Sequence, residues 1–432
     1  MNGAGESMPL VRADLVVVGG GVAGLWSAAA AARAGHSVIV VERSALGAGQ
    51  SIASQGIIHG GVKYALGPDS IGASRALAGM PAVWRACLRG EGPVDLSGIA
   101  VLSERQLLWA TPGLVTRLAG AAASRALRAR AARVPAERWP EVFRGAPRGL
   151  AGIDVYEADE CVLDPAGVLA ALARRVTEGG GVIVRAEVRE LRAAEGGRAA
   201  RVWVSGGGRT SEAGTARAAP GRELELEAGV IALTAGTGNE GLLALFGRDA
   251  RARMQRRPLH MVVASSAGLP ELFGHCVGPG SMPRLTVTSR RDAAGRMVWY
   301  LGGALAEEGV GRGVGEQVEA ARAALRDCLP WMTLPRDVDF RTRRLDRAEA
   351  ATGTGARPDG PAVLEVAAGV LAAWPTKLAF APLVGERILQ YVRDARGGRE
   401  AAPLAVADRA RLDSWPRPSI AALPWDAPDT PE

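Results

Sequence analysis

The 432-residue chain contains very little lysine, asparagine, tyrosine or phenylalanine. Only Lys63 and Lys377 are lysines, so 50 of the 52 basic residues are arginine, and the only asparagines are Asn2 and Asn239. Alanine, glycine and arginine dominate instead, a bias typical of GC-rich coding. A residue used against such a bias is a better candidate for a specific role, which directs attention to the two lysine-containing segments.

Cysteine and long apolar runs are also scarce. The four cysteines, at 87, 161, 276 and 328, are widely spaced and form no CxxC pair, so neither a disulfide framework nor a metal site is indicated. We expect buried thiols in a reducing compartment. No apolar run reaches the roughly 18 residues of a membrane span, and no charged n-region leads into an apolar signal segment. The sequence therefore predicts a cytoplasmic protein, with peripheral membrane contact as the alternative.

The charge balance is basic, with a net charge of +7 and a pI near 9.8. Such a charge permits nucleic-acid or anionic-membrane contact, but no zinc spacing, RNA-binding motif or aromatic-basic ladder accompanies it. We therefore expect no nucleic-acid partner. The densest basic run, 116–148, carries eight arginines. Its first half fits either a basic amphipathic helix on a membrane surface or, more simply, a solvated helix face.

The N-terminal region has the pattern of a dinucleotide-binding unit. A short apolar strand leads into GGGVAG and an alanine-rich helix, and a second apolar strand ends at Glu42. In this pattern Gly19 makes a tight turn, Gly21 lets the backbone approach a pyrophosphate, and Gly24 lets the helix pack on the strand. Glu42 lies 21 positions after Gly21, where a carboxylate accepts a hydrogen bond from a ribose hydroxyl. The pattern predicts FAD or NAD rather than NADP.

The segment after Glu42 distinguishes FAD from NAD. It reads ERSALGAGQSIASQGIIHGGVKYALG, which is loop chemistry rather than another ordinary strand and helix. Such a loop can follow a long cofactor and donate backbone N–H groups to its pyrophosphate and flavin, so we predict FAD. The expected cofactor contacts in this region are Gly19, Gly21, Val22, Ala23, Gly24, Glu42, Arg43, Ser51, Ser54, Gln55 and Gly56.

At this loop the sequence resembles the FAD-dependent oxidoreductases of the D-amino-acid oxidase type, most closely the flavin-linked glycerol-3-phosphate dehydrogenases. Those enzymes carry a His-Gly-Gly-x-Arg-Tyr motif, which looks like His59, Gly60, Gly61, Lys63 and Tyr64 here. The 2-hydroxyglutarate oxidases have a related His-x-Gly loop, so the motif does not fix the substrate. The resemblance covers roughly residues 13 to 395.

The resemblance implies an α/β fold, α+β overall, in which a Rossmann-like FAD-binding domain carries an inserted mixed-sheet substrate domain. We assign 13–89, 151–252 and 346–398 to the FAD-binding domain, 90–150 and 253–345 to the substrate domain, and 399–432 to a surface tail. Between them, Asp164 followed by Pro165 predicts a helix start, and the helix is expected to end near Glu178.

The resemblance implies further cofactor contacts at the ends of later strands. One predicted strand covers 182–188, and another opens into a Thr-Ala-Gly turn that is similar to a family segment passing close to the FAD. Near the C-terminus, PTKL resembles the family's Gly-Gly-Lys-x-Thr-Thr motif, with Pro375 and Thr376 where glycines are usual. In the family the following helix directs its positive end at the flavin edge where negative charge develops on reduction, and the resemblance implies the same here. The implied contacts are Val188, Ala235, Gly236, Thr376, Lys377 and Leu378.

The resemblance also implies a set of substrate residues. GARPDG is similar to the family's Gly-x-Arg-Pro segment and places Arg357 at the substrate. Lys63, Arg357 and Lys377 would hold the anionic group of a small hydroxy acid, amino acid or phosphorylated polyol. His59 or Tyr64 would take a hydroxyl proton. The family's further phosphate-binding arginine is missing between Arg357 and Lys377, which favours carboxylates over glycerol 3-phosphate.

The sequence thus predicts an FAD-dependent dehydrogenase or oxidase in which hydride passes to flavin N5, and oxygen, a quinone or a redox protein accepts the electrons. Amine or amino-acid oxidation, which needs no dedicated base, is the alternative within catalysis. A flavin-binding assembly or sensor protein without turnover, and a nucleic-acid-associated flavoprotein, are alternatives of other classes. We expect no metal, and we expect His36 at the surface and His260, His275 and Tyr300 in the core or at the surface rather than in catalysis.

Overall fold

The computed structural model describes residues 8–61, 76–111, 131–148, 152–196, 199–206, 222–247, 253–278 and 282–426. The strands, in chain order, are β1 (Leu10–Val18), β2 (Val38–Glu42), β3 (Val101–Ser103), β4 (Gln106–Trp109), β5 (Ala131–Arg133), β6 (Val155–Ala158), β7 (Val162–Leu163), β8 (Val182–Arg185), β9 (Glu187–Arg192), β10 (Ala200–Gly206), β11 (Arg222–Leu233), β12 (Met254–Ser266), β13 (Gly274–Cys276), β14 (Leu285–Arg291), β15 (Met297–Gly302), β16 (Asp339–Ala350), β17 (Ala362–Ala367) and β18 (Val370–Trp374). The α-helices are α1 (Val22–Arg33), α2 (Met80–Leu88), α3 (Pro165–Glu178), α4 (Asn239–Ala244), α5 (Ala304–Glu308), α6 (Val314–Cys328), α7 (Ala381–Arg396) and α8 (Val406–Asp413).

The first sheet has the strand order β17-β18-β11-β1-β2-β8, and β10 joins it by pairing with β11 and β9. β1 is parallel to both β11 and β2, β2 is parallel to β8, and β11 is parallel to β18. Strands of this kind are buried on both faces, which explains why β1 and β2 read as continuous apolar runs rather than alternating ones. Helices α1, α3 and α7 supply one apolar layer against the sheet. The predicted Rossmann-like domain is confirmed.

The second sheet has the order β16-β12-β15-β14-β13-β4-β6-β5 and is antiparallel except for the β13 and β4 pair. Helix α6 packs on one of its faces through Ala321, Leu325 and Cys328. Residues from the other face, among them Met261 and Thr286, line a cavity that the first domain also borders. The predicted mixed-sheet substrate domain is therefore confirmed.

The places where the chain passes between the two sheets differ from the expected boundaries at 150 and 345. β6 pairs with β4 and β5 in the second sheet, so the chain returns to the first domain only after residue 158. It returns at Asp164, whose side chain accepts a hydrogen bond from the N–H of Ala166 at 3.1 Å and caps α3 as predicted. β16 continues to Ala350, because it pairs with β12 along its whole length.

One predicted strand limit in the first domain also changes. The strand that opens into the Thr-Ala-Gly turn is β11, which begins as early as Arg222. The strand expected over 182–188 divides into β8 and β9 at Ala186, whose N–H donates to the carbonyl of Glu42 at 2.9 Å. Val188 consequently lies on β9 and still borders the cavity.

The C-terminal segment differs from the expected surface tail, because it contributes to the core. Leu412 and Trp415 are buried in the apolar cluster of the first domain. Farther on, Ile420 forms a parallel bridge with Leu46, and the ring of Trp425 lies 5.9 Å from that of Tyr300 in the substrate domain. The segment thus connects both domains. Prolines and charged residues separate its apolar residues, so the sequence shows no helix or strand periodicity that would indicate its burial.

Other predictions concern single residues. All four cysteines are buried free thiols, as expected. His36 is buried rather than exposed, with Nδ1 3.6 Å from a carboxylate oxygen of Asp14, and burial lowers the pKa of His36. Much of the basic run, 112–130, lies outside the described residues. In the part of the chain that the structure describes, no helix is long and apolar enough to cross a membrane.

Replacing Trp415 with alanine is expected to lower the free energy of unfolding by about 3 kcal/mol, because truncating a buried tryptophan leaves a cavity. Val406 lies on helix α8 in the same segment and is 87% exposed, so Val406→Ala is the matched control and is expected to change stability little. Chemical denaturation of both variants measures the difference. Equal stabilities would show that the segment is a surface tail after all.

Candidate active site

The turn between β1 and α1 is packed so closely that only glycine fits at two of its positions. Gly19 has φ +107°, and a Cβ there would lie 2.6 Å from the Cα of Ala235. A Cβ on Gly24 would lie 2.1 Å from the carbonyl oxygen of Gly19. Gly21 is the N-cap of α1. These three glycines therefore bring the helix N-terminus against the ends of β1 and β11, the geometry that suits a pyrophosphate.

The Glu42 carboxylate at the end of β2 organises the backbone around this turn. One oxygen accepts from the N–H of Gly20 at 2.8 Å, and the other accepts from the N–H of Ser44 at 2.9 Å. The hydroxyl of Ser51 accepts from the N–H of Val22 at 3.0 Å, in the first turn of α1. Glu42 borders the cavity as well. A carboxylate has about four acceptor positions, so these bonds leave capacity for the predicted ribose hydroxyl.

A cavity of about 870 Å³ extends from this turn to the substrate sheet. That volume lies in the upper part of the roughly 300–1,000 Å³ usual for cofactor and ligand sites. The predicted site residues that line it are Gly19, Gly21, Val22, Ala23, Glu42, Arg43, Ser51, Ser54, Gln55, Gly56, His59, Val188, Ala235, Gly236, Arg357, Thr376, Lys377 and Leu378. Gly24 lies behind the turn, and Lys63 and Tyr64 lie outside the described residues. The residues present fit an elongated dinucleotide, and their individual contacts with FAD remain predictions.

Two glutamines connect the predicted flavin loop to the substrate sheet. Gln50 accepts through Oε1 from the N–H of Ala348 at 3.0 Å. Gln55 donates through Nε2 to the carbonyl of Tyr300 at 2.8 Å, and it lies 3.4 Å from the carbonyl of Thr286. These side chains bind backbone atoms of β14, β15 and β16, so the loop and the sheet face enclose the cavity together.

The PTKL segment, which lacks the glycines of the motif it resembles, contains a residue with strained backbone geometry. Thr376 adopts φ +58°, the left-handed region, and is the only non-glycine residue with positive φ in the described part of the chain. A β-branched residue is strained there. Its hydroxyl donates to the carbonyl of Pro375 at 2.6 Å. The positive φ falls where the motif that this segment resembles has glycine, so Thr376 carries strain at a position where glycine would carry none.

Lys377 lies just before helix α7 and borders the cavity. Its Nζ is 5.4 Å from the centre of the Phe380 ring, within the range of a cation–π contact. The short helical turn of residues 378–380 leads directly into α7. A cation and a helix N-terminus thus meet at one wall of the cavity, and both stabilise negative charge.

Three arginines surround the Glu307 carboxylate near the cavity. Arg357, Arg347 and Arg257 donate to its Oε1 at 2.7, 2.8 and 3.1 Å. Burial of Glu307 opposes its ionisation, but these guanidinium groups outweigh burial and hold its pKa below the usual value. Glu349, which is almost fully buried, lies 3.7 Å from Nε of Arg257. Sequence reasoning found Arg357 alone, because the other members come from β12, β16 and α5 and match no motif.

His59 belongs to a second buried cluster that the sequence did not reveal. Its Nδ1 lies 3.2 Å from Oε2 of Glu160, whose other oxygen accepts from the N–H of Gly60 at 2.7 Å. The ring of His275 lies 6.0 Å from that of His59, nearly parallel to it, and its Nδ1 is 2.8 Å from the hydroxyl of Thr286. One ligand-type atom from each of the two histidines and the glutamate lies within 4.8 Å of the others.

The remaining polar candidates lie in the core. His260 is fully buried, with Nδ1 3.0 Å from the carbonyl of Gly309, and burial lowers its pKa. Tyr300 is buried, and burial raises the pKa of its hydroxyl. Neither borders the cavity, and both lie in the core, one of the two placements expected for them.

Comparison with known proteins gives the same family. The model of the DAO family, described as FAD dependent oxidoreductase, matches residues 14–388. The chain is 39% identical over 414 residues to the probable FAD-dependent oxidoreductase PA4991 of Pseudomonas aeruginosa, covering 96% of this chain and 97% of that protein. The crystal structure of PA4991 superposes with a TM-score of 0.74 at 35% identity, covering 97% of this chain and 99% of the other.

More distant solved structures share the fold. Glycine oxidase from Geobacillus kaustophilus has a TM-score of 0.61 at 15% identity, covering 89% of this chain and 95% of its own. L-alpha-glycerophosphate oxidase from Mycoplasma pneumoniae has a TM-score of 0.60 at 16% identity, covering 88% and 95%. The specific resemblance to glycerol-3-phosphate dehydrogenases is therefore no stronger than that to glycine oxidase, and only the wider family is established.

Gly24→Ala is expected to prevent FAD retention and to lower stability by about 1–3 kcal/mol, because the added methyl overlaps the carbonyl of Gly19 and α1 must move. The ratio of flavin to protein absorbance after purification measures retention. Gly315→Ala is the control, since it lies on helix α6 with no atom within 4 Å of the added Cβ. A Gly24→Ala protein with full flavin content would contradict the proposed binding of the pyrophosphate at the turn between β1 and α1.

Thr376→Gly and Thr376→Val separate backbone strain from hydrogen bonding. Glycine removes the penalty of positive φ, so we expect this variant to unfold no more easily than the native protein. Valine keeps the strain and loses the hydroxyl bond to Pro375, so we expect a loss of about 1 kcal/mol. Thermal melting compares the two. A glycine variant less stable than the valine variant would show that Thr376 is unstrained.

Proposed function

Because this chain belongs to the DAO family of FAD dependent oxidoreductases, we propose that it oxidises a small substrate that carries a carboxylate. A 2-hydroxy acid is the first candidate and an amino acid the second, since both present the same carboxylate. The enzyme is FAD-dependent, and the bound flavin supplies the chemistry by accepting two electrons and a hydrogen from the substrate carbon. The residues of this chain bind the substrate, orient it and manage its proton.

The observation that carries the proposal is the fixed position of Arg357 in the cavity wall. Arg357 and Arg347 both border the cavity, and each is fixed by a hydrogen bond to Glu307. A guanidinium group carries five N–H donors, and the hydrogen bond to Glu307 uses one of them in each arginine. A substrate carboxylate in the cavity can accept from further donors in the bidentate geometry that guanidinium groups favour.

The charge around the arginines supports an anionic ligand. Arg257, Arg347 and Arg357 carry three positive charges against the two carboxylates of Glu307 and Glu349. Repulsion from the neighbouring arginines adds to burial in lowering the pKa of Arg257. One further negative charge would balance the group. A monocarboxylate supplies it with less desolvation than a phosphate dianion, in line with the missing second arginine after Arg357.

Lys377 supports the flavin end of the same proposal. It borders the cavity beside the N-terminus of α7, where a positive charge favours the developing negative charge of a reduced cofactor. Lys63 and Tyr64, proposed beside it, lie outside the described residues. Oxygen, a quinone or a redox protein remains the proposed electron acceptor.

An anaerobic titration tests the proposal directly. Purified protein with bound FAD is mixed with a panel of 2-hydroxy acids, amino acids and glycerol 3-phosphate, and bleaching of the oxidised-flavin absorbance identifies the class. We expect a carboxylate to bleach it and glycerol 3-phosphate not to. Ammonia in the product distinguishes amino-acid from hydroxy-acid oxidation. Bleaching by glycerol 3-phosphate alone would overturn the carboxylate assignment, and bleaching by no member would favour a flavin-binding protein without turnover.

Arg357→Gln is expected to lower the affinity for the carboxylate substrate by about tenfold to a hundredfold, since a hydrogen bond to a charged group contributes about 1.5–3 kcal/mol. Flavin content should stay the same. Arg341→Gln is the matched control, because Arg341 lies on β16, the strand of Arg347, but pairs with Asp339 outside the cavity. The concentration dependence of flavin bleaching gives the affinity. Equal effects of the two substitutions would remove Arg357 from the substrate site.

A further inference from the structure

The buried cluster of His59, Glu160 and His275 points to the kind of bond that is oxidised. We propose that Glu160 and His59 form a carboxylate–histidine pair that accepts the hydroxyl proton of the substrate. Glu160 is a positioning residue that acts through His59, and the pair selects a CH–OH substrate over an amine. This inference rests on the proposed function and narrows it to the 2-hydroxy acids.

The fold places Glu160 beside His59 although 101 positions separate them. The flavin loop pairs with the segment at β7, because Ile57 bridges Val162 and the N–H of Ile58 donates to the carbonyl of Cys161 at 2.8 Å. His59 and Glu160 are the next residues beyond this short ladder, one on each of its two strands. The ladder therefore fixes the distance between the two side chains before any ligand binds.

The hydrogen bonds of Glu160 define which histidine nitrogen carries the proton. The Glu160 side chain is only 2% exposed, and one of its oxygens accepts from the N–H of Gly60. The other oxygen faces Nδ1 of His59 at 3.2 Å. In the proposal Glu160 is ionised and can only accept, so His59 donates from Nδ1–H and carries its lone pair on Nε2. His59 borders the cavity, and we assign this lone pair as the base.

His275 supports the orientation of the pair from behind. It is fully buried, its ring lies nearly parallel to that of His59 with an interplanar angle of 28°, and Thr286 holds its Nδ1. Thr286 borders the cavity and is connected to the flavin loop through Gln55. Rotation of the His59 ring would therefore change its contact with His275 as well as its hydrogen bond to Glu160.

A hydrogen bond accounts for the contact between His59 and Glu160 without a metal ion. Ligand-type atoms of His59, Glu160 and His275 lie within 4.8 Å of one another, so a shared metal ion is the competing interpretation of the cluster. Nδ1 of His59 is already directed at Glu160 at hydrogen-bond distance. Metal binding is nevertheless a distinct outcome of the test.

The proposed step balances with the bound flavin as oxidant. The O–H bond of the 2-hydroxy acid breaks and its proton passes to Nε2 of His59, while the C–H bond breaks and its hydrogen leaves with the electron pair to FAD. The carbon becomes a ketone, and the product is a 2-oxo acid. The imidazolium formed on His59 is stabilised by the adjacent Glu160 carboxylate.

The tautomer of His59 can be measured without turnover, because the chain has only four histidines. Protein labelled with nitrogen-15 in histidine gives one imidazole signal pair for each, and His59→Asn assigns that of His59. We expect the Nδ1–H form in the native protein and loss of this preference in Glu160→Gln. Asp159→Asn removes the adjacent carboxylate, which is 61% exposed and pairs with Arg85, and should leave the signal unchanged.

Three spectra would overturn the proposal. These are a native His59 in the Nε2–H form, a His59 signal indifferent to Glu160→Gln, and a joint shift of the His59 and His275 signals with one equivalent of zinc, which would identify a metal site. If Glu160→Gln loses its flavin or melts early, Glu160→Asp replaces it, since the shorter carboxylate keeps the charge and lengthens the contact.

Flavin bleaching separates this inference from the proposed function. With a 2-hydroxy acid that bleaches the native flavin, His59→Asn and Glu160→Gln are expected to slow bleaching by about 10²–10⁴-fold and about tenfold or more, respectively, with little change in apparent affinity. Asp159→Asn should bleach at the native rate. If only amino acids bleach the flavin, the carboxylate proposal stands and the CH–OH inference fails. If no carboxylate bleaches it, the proposed function fails, and the imidazole spectra alone decide the role of Glu160.

Discussion

The close approach of Gly19 to the turn that follows β11 is the constraint on which the rest of the structure depends. The hydroxyl of Thr234 donates to the carbonyl of Gly19 at 2.9 Å, and its N–H donates to the carbonyl of Val18 at 2.8 Å. Asn239 then holds the N–H of Ala235 at 2.9 Å. Because β1 and β11 are parallel neighbours, these contacts bring two distant parts of the chain to one edge of the sheet. The cofactor cavity lies between this edge and the substrate sheet.

The charged residues of the cavity are better explained by substrate binding than by a contribution to folding stability. Burying Arg257, Arg347 and Arg357 around Glu307 requires removing their water, and such clusters often contribute little net stability. Apolar residues of similar volume would pack there at lower cost. A carboxylate holds these guanidinium groups rigid, and it uses only some of their N–H donors. The remaining donors form a preorganised binding place for an anion. Orientation of the substrate is therefore the simplest reason for the cluster.

The sequence predicted the fold and the cofactor end of the site because their residues are consecutive. GGGVAG, Glu42 and the glycine-rich loop obey local rules of turn and helix geometry, and the Thr-Ala-Gly turn and PTKL carry their own local signals. The predicted domain boundaries at β6 and β16 were wrong by several residues. Strand pairing sets these boundaries, and no local feature of the sequence indicates the pairing. The buried segment around Trp415 was mistaken for a tail, since its prolines hide its apolar residues. Glu160 and Glu307 depend on tertiary contacts and carry no sequence signal.

The rare residues of this chain show where arginine and alanine fail as substitutes. Asn239 donates to the carbonyls of Leu233 and Ala373 at 3.2 and 3.4 Å while it accepts from Ala235, a combination that arginine, which only donates, cannot supply. Lys377 places a compact ammonium against the Phe380 ring, where a planar guanidinium would need a different approach. At both positions the geometry of the contact matters, not charge or volume alone, and both residues lie at the cofactor edge of the sheet.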